Sequence, residues 1–299
     1  MRTYLESGAL WSIGIFAEDI GFRLNEPLRN SIKIFDAKQI RHTRKHVHSY
    51  ADPFLYVYKD ALYLFAELQE IDGKGYINVW RTTDLIQWDD LGPIIKDKFH
   101  HSYPFLFRDN AKIYILPESS EMGKTFLYEF EDFPTKPIRK IQLLEGNFAD
   151  SNIICWEGIY YLITTNLDTD ELELFWSDNL INKSWSRHPC SPLTQDKKIN
   201  RNGGGFIELN KKLYRVAQNS SSFYGEGIVL LEVLILNKEI YKEILINQDY
   251  RPIENHKWQY DGRHHLSTVQ YMGKTIIAMD GLQRDFLINK LINFFYKIF

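Results

Sequence analysis

The stretch DPFLYVYKDALYLFAE, residues 52–67, is an apolar strand, a polar turn at Lys59-Asp60 and a second apolar strand, and it recurs along the chain. Four other segments align with it without a gap: YPFLFRDNAKIYILPE from Tyr103, DSNIICWEGIYYLITT from Asp150, GGGFIELNKKLYRVAQ from Gly203 and HLSTVQYMGKTIIAMD from His265. Their turns fall at matching places, Asn110-Ala111, Glu157-Gly158, Asn210-Lys211 and Met272-Gly273, so each segment reads as a β-hairpin. The second strands carry Tyr63, Tyr114, Tyr161, Tyr214 and Ile276 at one matched position, which suits a core role.

Outward from each hairpin lie further strand-like runs, YINVWRTTDLIQW, TFLYEFEDF, LELFWSDNLINKSW and GIVLLEVLIL. A hairpin plus two strands makes a four-stranded blade, and starts spaced by about 50 residues match a propeller period rather than a helical solenoid. The predicted fold is all-β, a single five-bladed β-propeller spanning residues 1–299 with hairpins starting near 52, 103, 150, 203 and 265. Too little β sequence follows the fifth hairpin to finish its blade, whereas the N-terminal run LWSIGIF has no blade of its own. Pairing the two closes the ring. Residues 286–299, FLINKLINFFYKIF, read as a short C-terminal amphipathic helix, about half as long as a membrane-spanning one. It either packs across the propeller or touches a membrane or partner surface.

Net charge is −3 with a pI near 6.3, which provides no broad basic field for a nucleic-acid backbone or an anionic membrane. No nucleic-acid partner is expected. Cys155 and Cys190 are too few for a disulfide framework, suit a reducing compartment and read as packing residues. The start MRTYLESGALWSIGIF lacks the charged-then-apolar layout of a secretory signal. The expected location is the cytoplasm, with membrane-peripheral contact through 286–299 as the variant.

With the turn midway, the first residue of each repeat lies opposite the last, at the blade end away from the turn. The predicted pairs are Asp52 with Glu67, Tyr103 with Glu118, Asp150 with Thr165, Gly203 with Gln218, and His265 with Asp280. Two residues earlier, on the same strand face, stand Tyr50, His101, Phe148, Arg201 and Arg263. A polar ring around one axial mouth follows, with carboxylates bordered by cationic groups. Solvated strand ends would give such polarity at any one site, but here it recurs in register. Carboxylates beside cations suit glycosyl chemistry: one acts as base or stabilises an oxocarbenium-like transition state, and an acid or cation helps the leaving group.

Other constellations are weaker. RHTRKHVH (41–48) places His46 and His48 on one face without a third ligand, so it reads as a solvated loop or phosphate-contacting rim. Neither a metal nor a cofactor is expected. In each adjacent pair, His100-His101 and His264-His265, one member can face the mouth, and the choice is His101 and His265. The glycines at 203–205 suit either close approach of a ligand or a strand-entry bulge. In the loop NSSSFYGEG (219–227), Tyr224 is a candidate sugar-stacking platform; Trp88 and Trp185 read as core. There is no Ser/His/Asp nucleophile motif, GxGxxG run or P-loop.

ADPF from Ala51, the SYPF…PES pattern (Ser102 to Ser119), TTDLIQW and SDNLINKSW resemble the five-bladed superfamily of family 43 and family 32 glycoside hydrolases. More closely, ADPFL, HSYPFLF, LPES, FADSN, NRNGGG and YRVAQ are similar to the N-terminal domain of glucosamine inositolphosphorylceramide transferases and bacterial relatives associated with surface-glycan genes. In the glycosidases a blade-one aspartate is base or nucleophile, a blade-three aspartate orients the site and a blade-four glutamate is the acid. The resemblance carries the first two roles to Asp52 and Asp150. Blade four begins Arg201-Asn202-Gly203 and offers no carboxylate, so Glu118 or Glu67 would have to stand in.

The expected catalytic set is thus Asp52, Asp150 and Glu118. The expected substrate contacts are Glu67, His101, Tyr103, Arg201, Gln218, Tyr224, Arg263, His265 and Asp280. A missing acid suits a donor whose phosphate leaving group needs charge stabilisation more than protonation, from Arg201, Arg263, His264 and His265. The expected partner is a sugar or activated-sugar substrate. Glycosyl transfer from a nucleotide- or phosphate-activated sugar in surface-glycan biosynthesis is the leading expectation, with hydrolysis and noncatalytic glycan binding as alternatives.

Overall fold

The computed structural model describes residues 9–19, 26–28, 30–181, 185–251 and 257–284. Strands β1 (Ala9–Asp19) and β2 (Ser31–Phe35) and helix α1 (Ala37–Thr43) precede the first hairpin. Blade I is β3 (Val47–Tyr58), β4 (Ala61–Glu70), β5 (Gly75–Thr82) and β6 (Asp89–Ile95); blade II is β7 (Ser102–Asp109), β8 (Lys112–Glu118), β9 (Lys124–Asp132) and β10 (Lys136–Glu145). Blade III is β11 (Phe148–Trp156), β12 (Ile159–Asn166), β13 (Glu171–Ser177) and β14 (Ser186–Arg187). In blade IV the inner strand is broken into β15 (Arg201–Asn202) and β16 (Ile207–Leu209), both pairing with β17 (Lys212–Asn219), and β18 (Gly227–Leu236) and β19 (Tyr241–Asn247) complete it.

Blade V joins the two ends of the described chain. Strands β20 (Leu266–Tyr271) and β21 (Lys274–Arg284) form its hairpin, and β1 and then β2 add the outer half. The β1–β21 ladder runs unbroken from Ala9–Arg284 to Asp19–Lys274. The N-terminal segment therefore supplies two strands, where its apolar run alone suggested one. The five blades form a ring, an all-β five-bladed propeller.

The turns work as their residues require. Glu157-Gly158, Asn210-Lys211 and Met272-Gly273 all have positive φ at both central positions, which matches the twist of a tight hairpin. Between blades I and II, Phe133 packs against Tyr56, Tyr58, Tyr63, Phe65 and Phe130. Of these rings Phe65 is fully buried, which contributes about 1.5–3 kcal/mol, and Phe133 itself is partly buried. Asp36 caps α1 by accepting the Lys38 N–H at 2.8 Å, and Arg44 beyond it donates to Asn78 Oδ1 at 3.0 Å and to Asp90, fastening the helix to blade I.

The predicted cross-hairpin pairs need correction. Near each turn the expected register holds, but at the axial end the ladder slips: Glu67 faces Ala51, Glu118 faces Ser102, Thr165 faces Ala149 and Gln218 faces Arg201. Asp52, Tyr103 and Asp150 sit in the resulting β-bulges with φ of 52°, 46° and 50°. A bulge adds an unpaired residue and re-aims its side chain, so the slip turns Asp52 and Asp150 out of the ladder. Blade V has no slip, and the Asp280 N–H donates to the His265 carbonyl at 3.2 Å.

Cys155 is exposed rather than packed, and both cysteines are unpaired. The helix expected at 286–299 lies outside the described residues. Among those residues no helix is long and apolar enough to cross a membrane.

The triple glycine proves to be a backbone crossing between blades. The Leu266 N–H donates to the Gly203 carbonyl at 2.7 Å, and a Cβ on Gly204, whose φ is +149°, would lie 2.0 Å from the Leu266 carbonyl oxygen. Gly158 has φ +80° and open space around its Cβ position. Gly204→Ala is expected to cost about 3 kcal/mol or more, combining strain and overpacking. Gly158→Ala is expected to cost about 1–2 kcal/mol from φ alone. Urea unfolding midpoints of the two variants check the difference.

Candidate active site

One end of the axis opens into a cavity of about 420 Å³ lined by Asp52, Glu67, Glu118, Arg201, His100 and His264 at its polar floor and by Trp11 and Tyr224 at an aromatic wall. Gln69, Asp72, Lys74, Ser120, Glu121 and Leu167 extend the lining outward. The strands explain the convergence: Glu67 lies near the end of the second strand of blade I and Glu118 ends that of blade II, and the slipped register sets the blade-start residues beside them.

Arg201 organises one side. Its Nε donates to Asp150 Oδ2, and its Nη2 lies 3.6 Å from Glu118 Oε2. The Ser120 hydroxyl donates to Glu118 Oε1 at 2.8 Å. Across from this pair, Glu67 is buried and its Oε1 makes no hydrogen bond; His100 Nε2 is 3.5 Å away. Because His100 Nδ1 accepts the Gly75 N–H at 2.9 Å, the neutral imidazole carries its proton on Nε2, directed at Glu67.

Blade V supplies the other side. Asp280 Oδ1 accepts the N–H groups of His264 and His265, each at 2.9 Å, and Oδ2 accepts the Asp52 N–H at 3.2 Å. His264 Nδ1 lies 2.5 Å from Asp280 Oδ2 and its Nε2 3.8 Å from Asp52 Oδ1. The His264 ring stacks on Trp11 with centroids 4.0 Å apart, and Tyr224 meets it edge-on at 5.2 Å. Asp52 Oδ2 accepts the Tyr103 N–H at 3.1 Å.

Burial, with the crowding of carboxyls added to it, raises the proton affinity of three groups in this set. Burial, then Glu118 and Asp150, push Glu67 up to about 8. Burial raises Asp150 to about 6 although Arg201 opposes it, and burial carries Asp52 well above the usual carboxylate range against the pull of His264. Asp280 moves the other way: burial disfavours its charge, but the adjacent His264 outweighs burial and holds it below the ordinary value. Among the described residues, Asp52, His264 and Asp280 form one trio whose donor atoms lie within 4.8 Å of one another. Three N–H groups and the imidazole already occupy the Asp280 oxygens, so internal pairing closes this trio.

The structure brings together Asp52, Glu67, Glu118, Arg201 and Tyr224 in the cavity lining, with Asp150 directly behind Arg201. Other expected contacts lie elsewhere. His101 is fully buried with Nε2 3.0 Å from Asp97, and the position at the mouth is taken by His100. His265 is fully buried below the floor, edge-on to Phe54 and Tyr103, and His264 takes its expected place. The Tyr103 hydroxyl is within hydrogen-bonding reach of Asn152 Oδ1 and the Gly204 carbonyl, as a strut across the axis. Gln218 is buried and accepts from Ser220, Arg263 pairs with Asp249 at 2.9 Å, and Asp280 lies beneath His264.

Tyr50 packs on Phe35 and Trp80, and Phe148 on Phe175, so neither faces the mouth. His46 is exposed while His48 is buried against Ser49, and the two do not converge. Sequence reasoning missed Trp11, which sits in an apolar strand with nothing local to mark its role.

Comparison with known proteins bears on the family and the fold. The family model described as glucosamine inositolphosphorylceramide transferase 1, N-terminal, matches residues 5–282. The chain is 31% identical over 298 residues to glucosamine inositolphosphorylceramide transferase 1 of Arabidopsis thaliana, covering 91% of this chain and 39% of that protein. To the protein of that name from Oryza sativa subsp. japonica it is 31% identical over 244 residues, covering 77% and 33%. The chain thus spans about two fifths or less of these relatives' length. The catalytic domain of Coprinopsis cinerea GH62 α-L-arabinofuranosidase superposes with a TM-score of 0.61 at 9% identity, over 90% of this chain and 97% of that one. RS223-β-xylosidase gives 0.56 at 12% identity over 79% and 95%, and Cellvibrio cellulosa α-L-arabinanase 0.56 at 14% over 73% and 84%. These likenesses show the fold. By the extent of the family match and the identity to its plant members, the chain belongs to the glucosamine inositolphosphorylceramide transferase 1 N-terminal family.

Proposed function

We propose that the axial cavity carries out glycosyl transfer from an activated sugar. The observation that carries this reading is one cavity with two unlike sides: Glu67 retains a proton near neutral pH, while Arg201, held by Asp150 and 3.6 Å from Glu118, brings a cation to face it. Carboxyl groups whose environments separate their protonation are how one site supplies acid and base together.

In the proposed step a sugar lies against the Trp11–Tyr224 wall with its anomeric carbon over the carboxyl floor. The bond from that carbon to the leaving oxygen breaks as Glu67 delivers its proton there. The acceptor oxygen forms the new bond, and Asp52 takes the acceptor proton. Arg201, fixed by Asp150 and Glu118, stabilises negative charge on the departing group. The relatives named as transferases support an acceptor other than water. The setting proposed, surface-glycan assembly in the cytoplasm, rests on the resemblance and on the unpaired cysteines.

Hydrolysis is the second reading, and the lining favours it in one respect. With Glu67 set aside as protonated, the acidic Asp52, Asp72, Glu118 and Glu121 still outnumber Lys74, Arg201 and His264, a balance that suits a neutral leaving alcohol better than a diphosphate.

Asp52→Asn and Glu67→Gln are each expected to lower turnover of an alkyl-type glycoside by about 10²–10⁴-fold. Glu67→Gln is expected to retain most turnover of a donor with an acidic aryl or phosphate leaving group. Product analysis with and without acceptor separates transfer from hydrolysis; saturable sugar binding with no turnover of any donor would mean a binding module instead.

The rate with a poor leaving group is expected to fall as pH rises through about 8, where Glu67 loses its proton, and the falling limb should vanish in Glu67→Gln.

Stability follows the same group. Its folded pKa lies above the ordinary 4.5, so its contribution is fully present below that pH and is lost as pH rises through about 8. Melting curves at pH 5 and pH 8.5 should show a smaller loss for Glu67→Gln than for the wild type.

A further inference from the structure

His264 is a buried titratable group of the cavity lining that the proposed step leaves unused, and contacts hold it on several sides. Asp280 holds it from below, through the Nδ1 contact at 2.5 Å and the N–H bond at 2.9 Å. Trp11 covers one ring face at 4.0 Å, and Tyr224 blocks an edge. What remains is Nε2, 3.8 Å from Asp52 Oδ1, at the cavity lining. That distance is too long for a hydrogen bond and short enough for a strong charge interaction in a buried setting.

We propose that His264, clamped by Asp280 and stacked on Trp11, is a positioning residue that holds a positive charge beside Asp52 so that the Asp52 carboxylate can take the acceptor proton. The role rests on the reading of Asp52 as the acting base. Asp52 faces His264 and Asp280 from blade V, Glu67 from its own blade and Asp150 from blade III. Three of these four neighbours are acidic and disfavour its ionisation, as burial does; His264 is the one that favours it. Burial by itself would discharge the imidazole, but Asp280 first, then Asp52 and Asp150, outweigh burial and hold His264 above its ordinary value. When Asp52 ionises, the arrangement becomes a chain of alternating charge from Asp280 through His264 to Asp52, built from the last hairpin and the first blade. His265, one residue on, shows the contrast: edge-on to Phe54 and Tyr103 and without a hydrogen bond at either nitrogen, it is driven down to about 3 by burial.

The test needs no substrate at first. In the full chain labelled with ¹³C-aspartate, the Asp52 carboxyl signal, assigned by its loss in Asp52→Asn, is titrated in the wild type and in His264→Gln. The expected result is an upward move of the Asp52 midpoint by about one to two pH units in His264→Gln. An unchanged or lower midpoint would overturn the proposal. Should His264→Gln fail to fold, the His264 Cε1–H resonance of the wild type decides: titration above 6.5 is expected, and titration below 6.5 overturns it.

With a donor that turns over, His264→Gln should shift the rising limb of the kcat profile upward, costing about 10- to 100-fold at pH 6 and recovering as pH rises, with KM little changed. A uniform loss at every pH would instead mark His264 as structural. If no donor turns over, the transfer reading fails while the carboxyl titration still decides the place of His264.

Discussion

The unbroken ladder between β1 and β21 is the interaction on which the rest depends. Without it blade V would be a bare two-stranded hairpin, a unit with marginal stability in water. The ladder also delivers site parts. Trp11 on β1 sits beside Leu282 in the pairing, and Asp280 on β21 sits beside Ile13, so the strand that closes the ring brings the aromatic wall to the histidine that Asp280 holds. Closure and cavity are one construction.

The repeat made the architecture legible, because hairpin periodicity depends on local alternation and turn residues that a single sequence displays. The five starts, the turns and the blade-closing role of the N-terminal run all follow from that pattern. The register at the axial end was not legible. Asp52, Tyr103 and Asp150 adopt left-handed φ, a conformation that nothing in DPF, YPF or DSN announces locally. It is held by bonds from distant parts of the chain, such as the Asp280 carboxylate on the Asp52 N–H and the Asp52 carboxylate on the Tyr103 N–H. In blade II a slip of one residue is also enough to exchange which member of an adjacent pair faces the mouth, whereas in blade V, where the register holds, the Asp280 contact and the Trp11 stack place His264 there. For His100-His101 and His264-His265 the pairs themselves were visible and the facing member was not.

The polar floor shows how a nearly uniform set of side chains acquires different characters. Asp52, Glu67 and Asp150 are all buried, and burial opposes ionisation in each. What separates them is the neighbour: Arg201 for Asp150, His264 for Asp52 and chiefly other carboxyls for Glu67. Composition alone, with its net charge of −3, is silent on this.

The same closure sets an order of events during synthesis. Strand β1 leaves the ribosome early and its partner β21 last among the described strands, and at about 5–20 residues per second the interval is on the order of tens of seconds. Through that time β1 has β2 to pair with but an open edge towards its missing neighbour, the kind of edge that recruits stray strands. Four blades can assemble in sequence while the fifth waits. A nascent chain stalled before residue 274 would hold most of a propeller and no complete axial cavity, so the cavity exists only in molecules whose translation has passed the last hairpin.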